Sequence, residues 1–212
     1  MSSKKSETKV IKRENNPSRF LPILIGSIFI IIALAIPAAT FAPVFKAEVN
    51  YQLNKNNGEP VEGVEAIPID PQFDLIIPKI NANTKVIKNV DPFNSKIYQQ
   101  ALSRGVAHAK TSSTPDHGGN TFIFAHSAGS WYQANQFNAV FYLLDKLIKG
   151  DEVIVYYQNQ KYLYSVQEIK LIDSSDIQYL SANAGQNQLT LMTCWPAGTT
   201  LKRLIVIATL QK

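Results

Sequence analysis

The chain has 212 residues, 45% of them hydrophobic, and a formal net charge of +5. That length suits one globular domain with an appendage. Residues 1–19 hold six of the 21 basic side chains and two of the 16 acidic ones, so the rest of the chain carries a net charge of only +1. Because the excess charge lies in one terminal segment, the composition argues against a nucleic-acid-binding face.

The first predicted element is an apolar helix over residues 20–45, a stretch without a charged side chain. As an α-helix this stretch would be about 39 Å long, enough to cross a hydrocarbon core of about 30 Å. Basic residues before it and acidic residues soon after it predict that the N-terminus faces the cytoplasm. We therefore expect a cytoplasmic tail over residues 1–19, a transmembrane anchor over residues 20–45 and an extracellular remainder. A cleaved signal peptide is the alternative, with small residues near its end at Ala38, Ala39 and Ala42.

The rest of the chain is predicted to be a tether followed by a β-rich domain. Residues 46–71 are polar and rich in Asn, Gly and Pro, which is typical of a tether. The domain over residues 72–212 contains short β-type runs separated by turn signals. These predict strands at Phe73–Ile77, Thr84–Ile87, Gly105–Ala107, Thr121–Ala125, Glu152–Tyr157, Tyr162–Leu171, Leu189–Thr193 and Leu204–Thr209. Many short strands favour a closed or nearly closed β-barrel over a sandwich, although periodicity alone does not separate the two.

Helical patterns are few in this domain. The run Val140–Ile148 predicts a short helix, with Asn138 as its cap and Gly150 as its stop. Weaker helical turns are predicted at Ile97–Ser103 and Ser174–Leu180. The predicted fold class is therefore mainly β with a few short helices.

The closing strand pair carries the only cysteine, Cys194. It lies where one predicted strand ends, and Arg203 lies where the next begins, so a thiol and a guanidinium should share one strand end. A leftover thiol in an exported chain is a candidate reactive group, although a lone cysteine is more often an inert core residue. A nucleophilic thiol also needs an acid–base group and a donor or cation that stabilises the oxyanion.

The chain has three histidines. His126 follows the predicted strand over residues 121–125, so its imidazole should emerge at a strand end. His117 lies in a turn sequence and is interpreted as a solvated loop residue, whereas His108 is interpreted as a packed or supporting group. Cys194, His126 and Arg203 are therefore the candidate nucleophile, acid–base group and oxyanion partner.

Two separated motifs resemble those of the sortase family. The sequence TLMTC at residues 190–194, followed nine positions later by Arg203 in KRLIVIA, is similar to the TLxTC and Arg signature of the sortases. Gly105-Val106-Ala107-His108 and the strand that leads into His126 resemble the family's histidine region. The order of anchor, tether, His, Cys and Arg also matches, and the resemblance covers about residues 73–210.

The resemblance implies a closed eight-stranded sortase-type β-barrel and a cysteine transpeptidase. Such an enzyme, held in the bacterial cell membrane, cleaves an LPxTG-like sorting signal of another exported protein through a thioester on Cys194. His126 would protonate the leaving amine and deprotonate the incoming one, while Arg203 would hold the peptide and the oxyanion. The acceptor would be an amine of a cell-wall peptide or a pilin lysine, and the chemistry needs no metal or organic cofactor.

Residues beside the nucleophile have two interpretations each. Thr193 matches the family's Thr before Cys, whose hydroxyl contributes to the oxyanion pocket, or it is a plain strand threonine. Trp195 shapes the substrate pocket or covers the barrel end. The run Asp91-Pro92-Phe93 resembles the lid of pilus-building sortases but follows the first predicted strand, which indicates a turn. Asp173 and Asp176 are too few acids to predict a calcium site.

Two other functions remain open from the sequence. Water could be the usual acceptor, which would make the chain a membrane-anchored processing peptidase, because the same thioester serves both reactions. Alternatively, the barrel could be a non-catalytic anchored binding module in which Cys194 is inert. The joint presence of His126, Cys194 and Arg203 at predicted strand ends argues against this second alternative.

Overall fold

The computed structural model describes residues 20–56, 67–127, 140–180 and 187–211. The chain divides into two compact units, residues 1–38 and residues 39–212. The predicted cytoplasmic tail over residues 1–19 and the predicted cap at Asn138 lie outside the described residues.

The first helix, α1, runs from Phe20 to Asn56. It continues beyond residue 45, so the first part of the predicted tether is helical. None of the helices in the described part of the chain combines the length and the apolar character that a membrane span requires, and the predicted transmembrane helix is therefore not supported.

The second unit contains eight strands that close into a barrel. They are β1 (Phe73–Ile77), β2 (Ala82–Val90), β3 (Val106–Ala109), β4 (Asn120–Phe124), β5 (Glu152–Tyr157), β6 (Gln160–Asp173), β7 (Gln188–Trp195) and β8 (Lys202–Leu210). Their spatial order is β1-β2-β3-β4-β7-β8-β6-β5, and β5 pairs with β1 to close the barrel. The eight predicted strands and the predicted barrel are confirmed.

Two strand pairs are parallel, β2 with β3 and β4 with β7, and the other pairs are antiparallel. Parallel neighbours need long connections. The helix α2 (Ser95–Leu102) connects β2 to β3, whereas the β5–β6 hairpin lies in the sequence between β4 and β7. Because β4 and β7 run in the same direction, the residues at their C-terminal ends lie side by side.

Burial along the strands follows from their place in the barrel. In β2 the residues Ala82, Thr84 and Val86 are buried while Asn83 and Lys85 are exposed, which is the period of two expected for a strand with one covered face. Every residue of β4 is buried. The strand that leads to His126 is therefore held firmly on both faces.

The strands β5 and β6 form a tight hairpin. Tyr157 pairs with Gln160 across the turn. The two residues between them, Gln158 and Asn159, have φ angles of 50° and 64°. Two consecutive positive φ angles are the geometry of the type I′ turn that matches the twist of a two-residue hairpin.

The helix predicted at Val140–Ile148 is wrong. Only a 3-10 turn forms, at Leu144–Lys146. Phe141 and Leu143 would point to opposite sides of an α-helix, yet both side chains are buried. Burial on both sides of the segment therefore outweighs the local helical pattern.

The two weaker helical predictions have different outcomes. The one at Ile97–Ser103 is confirmed by α2, which Asn94 caps by accepting a hydrogen bond from the backbone N–H of Ile97 at 3.2 Å. The one at Ser174–Leu180 forms only a 3-10 helix at Ile177–Leu180. The predicted turn at residues 91–93 is confirmed, since Asp91 Oδ1 accepts a hydrogen bond from the backbone N–H of Phe93 at 2.9 Å.

Candidate active site

The thiol and the guanidinium face each other across one strand pair. Cys194 lies next to the end of β7, Arg203 lies next to the start of β8, and the antiparallel register places the two residues directly opposite each other. The strands on either side of the connecting loop are rich in β-branched and apolar residues, which fixes this register through burial of their inner face. The sequence-based expectation of a shared strand end is met in the structure.

The imidazole reaches the same place through the parallel pairing of β4 and β7. Phe124 pairs with Met192, and the backbone N–H of Ala125 donates to the carbonyl oxygen of Met192 at 3.1 Å. His126 directly follows Ala125, and Thr193 and Cys194 directly follow Met192. The segment that carries His126 and the strand that carries Cys194 therefore end at the same rim of the barrel.

These three side chains line one cavity of about 340 Å³. Pro92 of the turn after β2 and residues of α2 also line it. The cavity is large enough for a short stretch of peptide, and its lining carries a thiol, an imidazole and a guanidinium. Such a set can supply a nucleophile, a proton carrier and a fixed positive charge.

Arg203 is held by the loop between β7 and β8. Its Nη1 donates hydrogen bonds to the carbonyl oxygens of Thr200 and Lys202, each at 3.1 Å. These contacts keep the guanidinium at the rim of the cavity. A guanidinium has five N–H donors, and among the described residues only Nη1 of Arg203 has hydrogen-bond partners, so its other nitrogens can face a ligand in the cavity.

A second hydrogen bond joins that loop to the strand end beside His126. The backbone N–H of Gly198 donates to Ser127 Oγ at 3.4 Å, and Ser127 is buried. Both residues also line the cavity. The loop that holds the arginine side chain is therefore attached to the segment that carries the histidine.

Thr193 lines the cavity, but its hydroxyl already has an acceptor. Oγ1 donates to the carbonyl oxygen of Ala125 at 3.0 Å, and the residue is buried. A hydroxyl has only one proton to donate. In this structure Thr193 therefore holds the two strand ends together instead of offering a donor to an oxyanion.

Trp195 does not line the described cavity. It is half-buried and packs against the hydrophobic core. This packing favours the second of its two predicted roles, as part of the cover over the barrel end, and its contact with a substrate stays a prediction.

His108 also lies outside the cavity and is completely buried in β3. Its Nδ1 accepts a hydrogen bond from the backbone N–H of Asn89 at 3.3 Å, so Nε2 carries the proton and donates to the carbonyl oxygen of Ser113 at 3.0 Å. Burial lowers the pKa of His108. This neutral ring joins β2 to the loop after β3, so it is a packed structural group and does not support His126 directly.

His117 is an exposed loop residue, as predicted. Its Nδ1 lies 2.8 Å from Asp116 Oδ1, and its side chain is 75% exposed. Of the three histidines, His126 is thus the one whose side chain lines the described cavity that contains Cys194.

Sequence reasoning missed one polar partner of His126. Gln99 of α2 has its Oε1 3.1 Å from Nε2 of the imidazole and also lines the cavity. Burial lowers the pKa of His126. Gln99 precedes His126 by 27 positions on a different element, and no motif connects them, so only the folded chain brings the two side chains together.

Comparisons with known proteins agree with this fold. Residues 75–211 match the family model described as the sortase domain. The sortase D of Bacillus subtilis (strain 168) is 27% identical over 135 residues, which is 62% of this chain and 60% of that protein. The chain thus matches less than two thirds of that relative's length.

Solved structures show the same fold. A Clostridium perfringens sortase D5 transpeptidase is 22% identical with a TM-score of 0.55, covering 82% of this chain and 99% of that one. The Clostridium perfringens sortase C solved with the C-terminal cell wall sorting motif is 23% identical with a TM-score of 0.56, covering 81% of this chain and 89% of that one. At these identities the likeness establishes the barrel architecture. Because the sortase domain model covers most of the chain and the eight-stranded barrel brings its Cys, His and Arg to one cavity, the chain belongs to the sortase family.

Proposed function

We propose that this protein is a cysteine transpeptidase that cleaves an LPxTG-like sorting signal and transfers the exported protein that carries it to an amine. The observation that carries the proposal is the convergence of Cys194, His126 and Arg203 on one cavity from three strand ends. Membership of the sortase family supports it. The Clostridium perfringens sortase C structure with a sorting motif supports a peptide of this class as the substrate.

The first half of the reaction forms a thioester. The Cys194 thiolate attacks the carbonyl carbon of the Thr–Gly bond, and the tetrahedral oxyanion is stabilised by the guanidinium of Arg203. The C–N bond then breaks as His126 gives a proton to the leaving glycine amine. The acyl group remains on the sulfur, and the C-terminal fragment leaves with a neutral amine.

The second half returns the enzyme to its starting state. An amine attacks the thioester carbonyl, His126 takes a proton from the attacking nitrogen, and the C–S bond breaks to release the thiolate. We propose a cell-wall peptide or a pilin lysine as the acceptor. With water in the same position the product would be a free carboxylate, and the protein would act as a processing peptidase.

The test uses the full chain, a panel of fluorescence-quenched LPxTG-type peptides and triglycine as the amine. Cleavage with formation of a peptide–triglycine product is expected, and Cys194→Ala should abolish it. Lys202→Gln is the control, because it changes the residue next to Arg203 and leaves the three candidate residues in place. An equally active Cys194→Ala variant would overturn the proposal, and binding of a peptide without cleavage would favour a non-catalytic module.

The chemical identity of the product shows whether an amine or water was the acceptor. If transpeptidation is the function, mass spectrometry should find mainly the amine-linked peptide at millimolar triglycine. A hydrolysed product alone, at every amine concentration, would favour the peptidase alternative.

We also propose that the protein acts at the bacterial cell membrane with its barrel outside the cell. This proposal rests on the basic segment over residues 1–19 followed by the uncharged run over residues 20–45. The test is cell fractionation combined with protease treatment of intact cells. Recovery of the chain in the membrane fraction, with the barrel degraded by external protease, is the expected result; a protected protein in the cytosolic fraction would contradict it.

A further inference from the structure

The α2 helix places one side chain against the imidazole of His126. Gln99 is half-buried, and its Oε1 lies 3.1 Å from His126 Nε2. That distance is within hydrogen-bonding range. Both residues line the cavity that also contains Cys194.

The packing of α2 fixes where this amide points. The ring of Tyr98 meets the ring of Phe124 edge to face, with centroids 6.4 Å apart, and Ala101 and Leu102 are buried against the barrel. Neighbours on both sides of Gln99 are therefore anchored. The amide reaches His126 from a packed helix that is joined to the strand leading to the imidazole.

No carboxylate orients the imidazole from within the described cavity lining. The other ionisable side chains of that lining are Tyr98, Cys194 and Arg203. Many nucleophile–histidine sites use an acid to fix the ring and its tautomer. Here the neutral amide of Gln99 occupies a position from which it can fix the ring and its tautomer.

The chemistry of the amide decides which imidazole nitrogen is free. An amide oxygen only accepts hydrogen bonds, so the nitrogen facing it must carry a proton. With Oε1 against Nε2, neutral His126 is protonated on Nε2 and keeps its lone pair on Nδ1. The opposite amide orientation would donate to Nε2 and place the proton on Nδ1.

We propose that Gln99 is a positioning residue that holds the Nε2 proton of His126, so that Nδ1 is the atom that moves protons in the reaction. This inference rests on the proposed transpeptidase function. In the cleavage step Nδ1–H gives its proton to the leaving amine, and in the transfer step Nδ1 takes a proton from the attacking amine. Nε2–H stays bonded to Gln99 throughout.

The same contact affects how readily His126 is protonated. Burial lowers the pKa of this imidazole. An acceptor on Nε2 stabilises the charged form and opposes that effect. Gln99→Leu removes the acceptor and should lower the pKa further, whereas Gln99→Glu, of nearly the same shape, adds a negative charge and should raise it.

The test is ¹⁵N NMR of the imidazoles in the full chain, in a Cys194→Ala background that removes the thiol's own titration. Only three histidines occur, so the His126 signals are assigned by their loss in His126→Gln. We expect the Nε2–H tautomer in the neutral form, a lower titration midpoint in Gln99→Leu and a higher one in Gln99→Glu. Gln100→Leu is the matched control, since Gln100 is the adjacent glutamine and is exposed.

Kinetics on the active enzyme complete the test. In Gln99→Leu, kcat for peptide cleavage should fall about 10-fold to 100-fold with little change in KM, because the acid–base group is misaligned while the peptide site is kept. An Nδ1–H tautomer, or a midpoint that is the same in both Gln99 variants and the parent, would overturn the inference. An inactive parent enzyme would count against the proposed function. The NMR measurement needs no turnover, so it would still test the contact between Gln99 and His126 independently.

Discussion

Thr193 Oγ1 donates a hydrogen bond to the carbonyl oxygen of Ala125 at 3.0 Å, across the parallel pair that carries the nucleophile and the histidine. The contact lies one residue before Cys194 on one strand and one residue before His126 on the other. This buried side-chain bond adds to the backbone pairing of β4 with β7 just before the two candidate residues.

Thr193→Val should therefore weaken the site and the fold together. It removes the buried donor and puts a methyl group against the Ala125 carbonyl oxygen, which should cost about 1–2 kcal/mol of unfolding free energy. Thr193→Ser keeps the hydroxyl and is the control. Urea denaturation followed by circular dichroism measures the effect, and equal stability of Thr193→Val and the parent would contradict it.

Arg203→Lys should reduce peptide cleavage although the charge is kept. The guanidinium is held through Nη1 by the carbonyl oxygens of Thr200 and Lys202 and presents further N–H groups on its other nitrogens to a substrate. An ammonium has all its donors on one nitrogen and cannot keep this planar geometry. We expect kcat/KM to fall about 100-fold, the scale for loss of an oxyanion partner. Steady-state cleavage of the LPxTG-type peptide measures this, with Lys202→Gln as the control. A lysine variant with parental kinetics would show that the reaction needs only a positive charge at this position and not the guanidinium.

Asp74 should make the barrel less stable at high pH. The side chain is completely buried in β1, its Oδ2 accepts a hydrogen bond from the backbone N–H of Ile69 at 3.2 Å, and Oδ1 has no partner among the described residues. Burial raises the pKa of Asp74 to about 6. Because the folded-state pKa lies above the ordinary value, the stabilisation from the neutral acid is complete below about pH 4 and is lost as the pH rises through about 6.

Asp74→Asn keeps the shape and removes the ionisation. We expect it to raise the unfolding free energy by about 2 kcal/mol at pH 8 and by much less at pH 4. Asp70→Asn is the control with the opposite sign, because the hydrogen bond from Lys85 lowers the pKa of Asp70 and the charged form is the favoured one. Denaturation curves at the two pH values decide the matter, and a pH-independent effect of Asp74→Asn would refute the assignment.

Gly105→Ala should destabilise the barrel strongly. A Cβ at this position would lie 2.2 Å from the backbone carbonyl oxygen of Lys85, and backbone cannot move aside as a side chain can. Gly105 immediately precedes β3, where Val106 pairs with Val86 of β2. We expect a loss of about 3 kcal/mol in urea denaturation, the upper range for overpacking. An unchanged midpoint would show that β2 and β3 can separate at this point without cost.

The site could be predicted from the sequence only in part. Cys194 and Arg203 are close because they lie only nine positions apart on the two strands of one hairpin, and such local pairing follows from strand and turn patterns. His126 is predicted at a strand end, but its meeting with Cys194 depends on the parallel pairing of β4 with β7, which lie 68 positions apart at Asn120 and Gln188. No local pattern specifies which strands become neighbours in a barrel.

The roles of the neighbouring residues depended on tertiary contacts. Thr193 and Trp195 have two interpretations each in the sequence, and the hydrogen bond of Thr193 to Ala125 and the packing of Trp195 against the core favour the structural one in each case. The predicted helix at residues 140–148 is wrong for a related reason, since burial of Phe141 and Leu143 on opposite sides outweighs local propensity.

By itself, the sequence determined the strand positions, the fold class and the set of candidate reactive side chains. Alternation of apolar residues and turn-forming residues acts over a few positions, so it can be read along the chain. The tertiary structure alone decided the strand order, the cavity shared by three strand ends and the contact between Gln99 and His126. Those features depend on which surfaces become buried against each other when the barrel closes. Burial is a property of the whole fold and not of a local stretch of sequence.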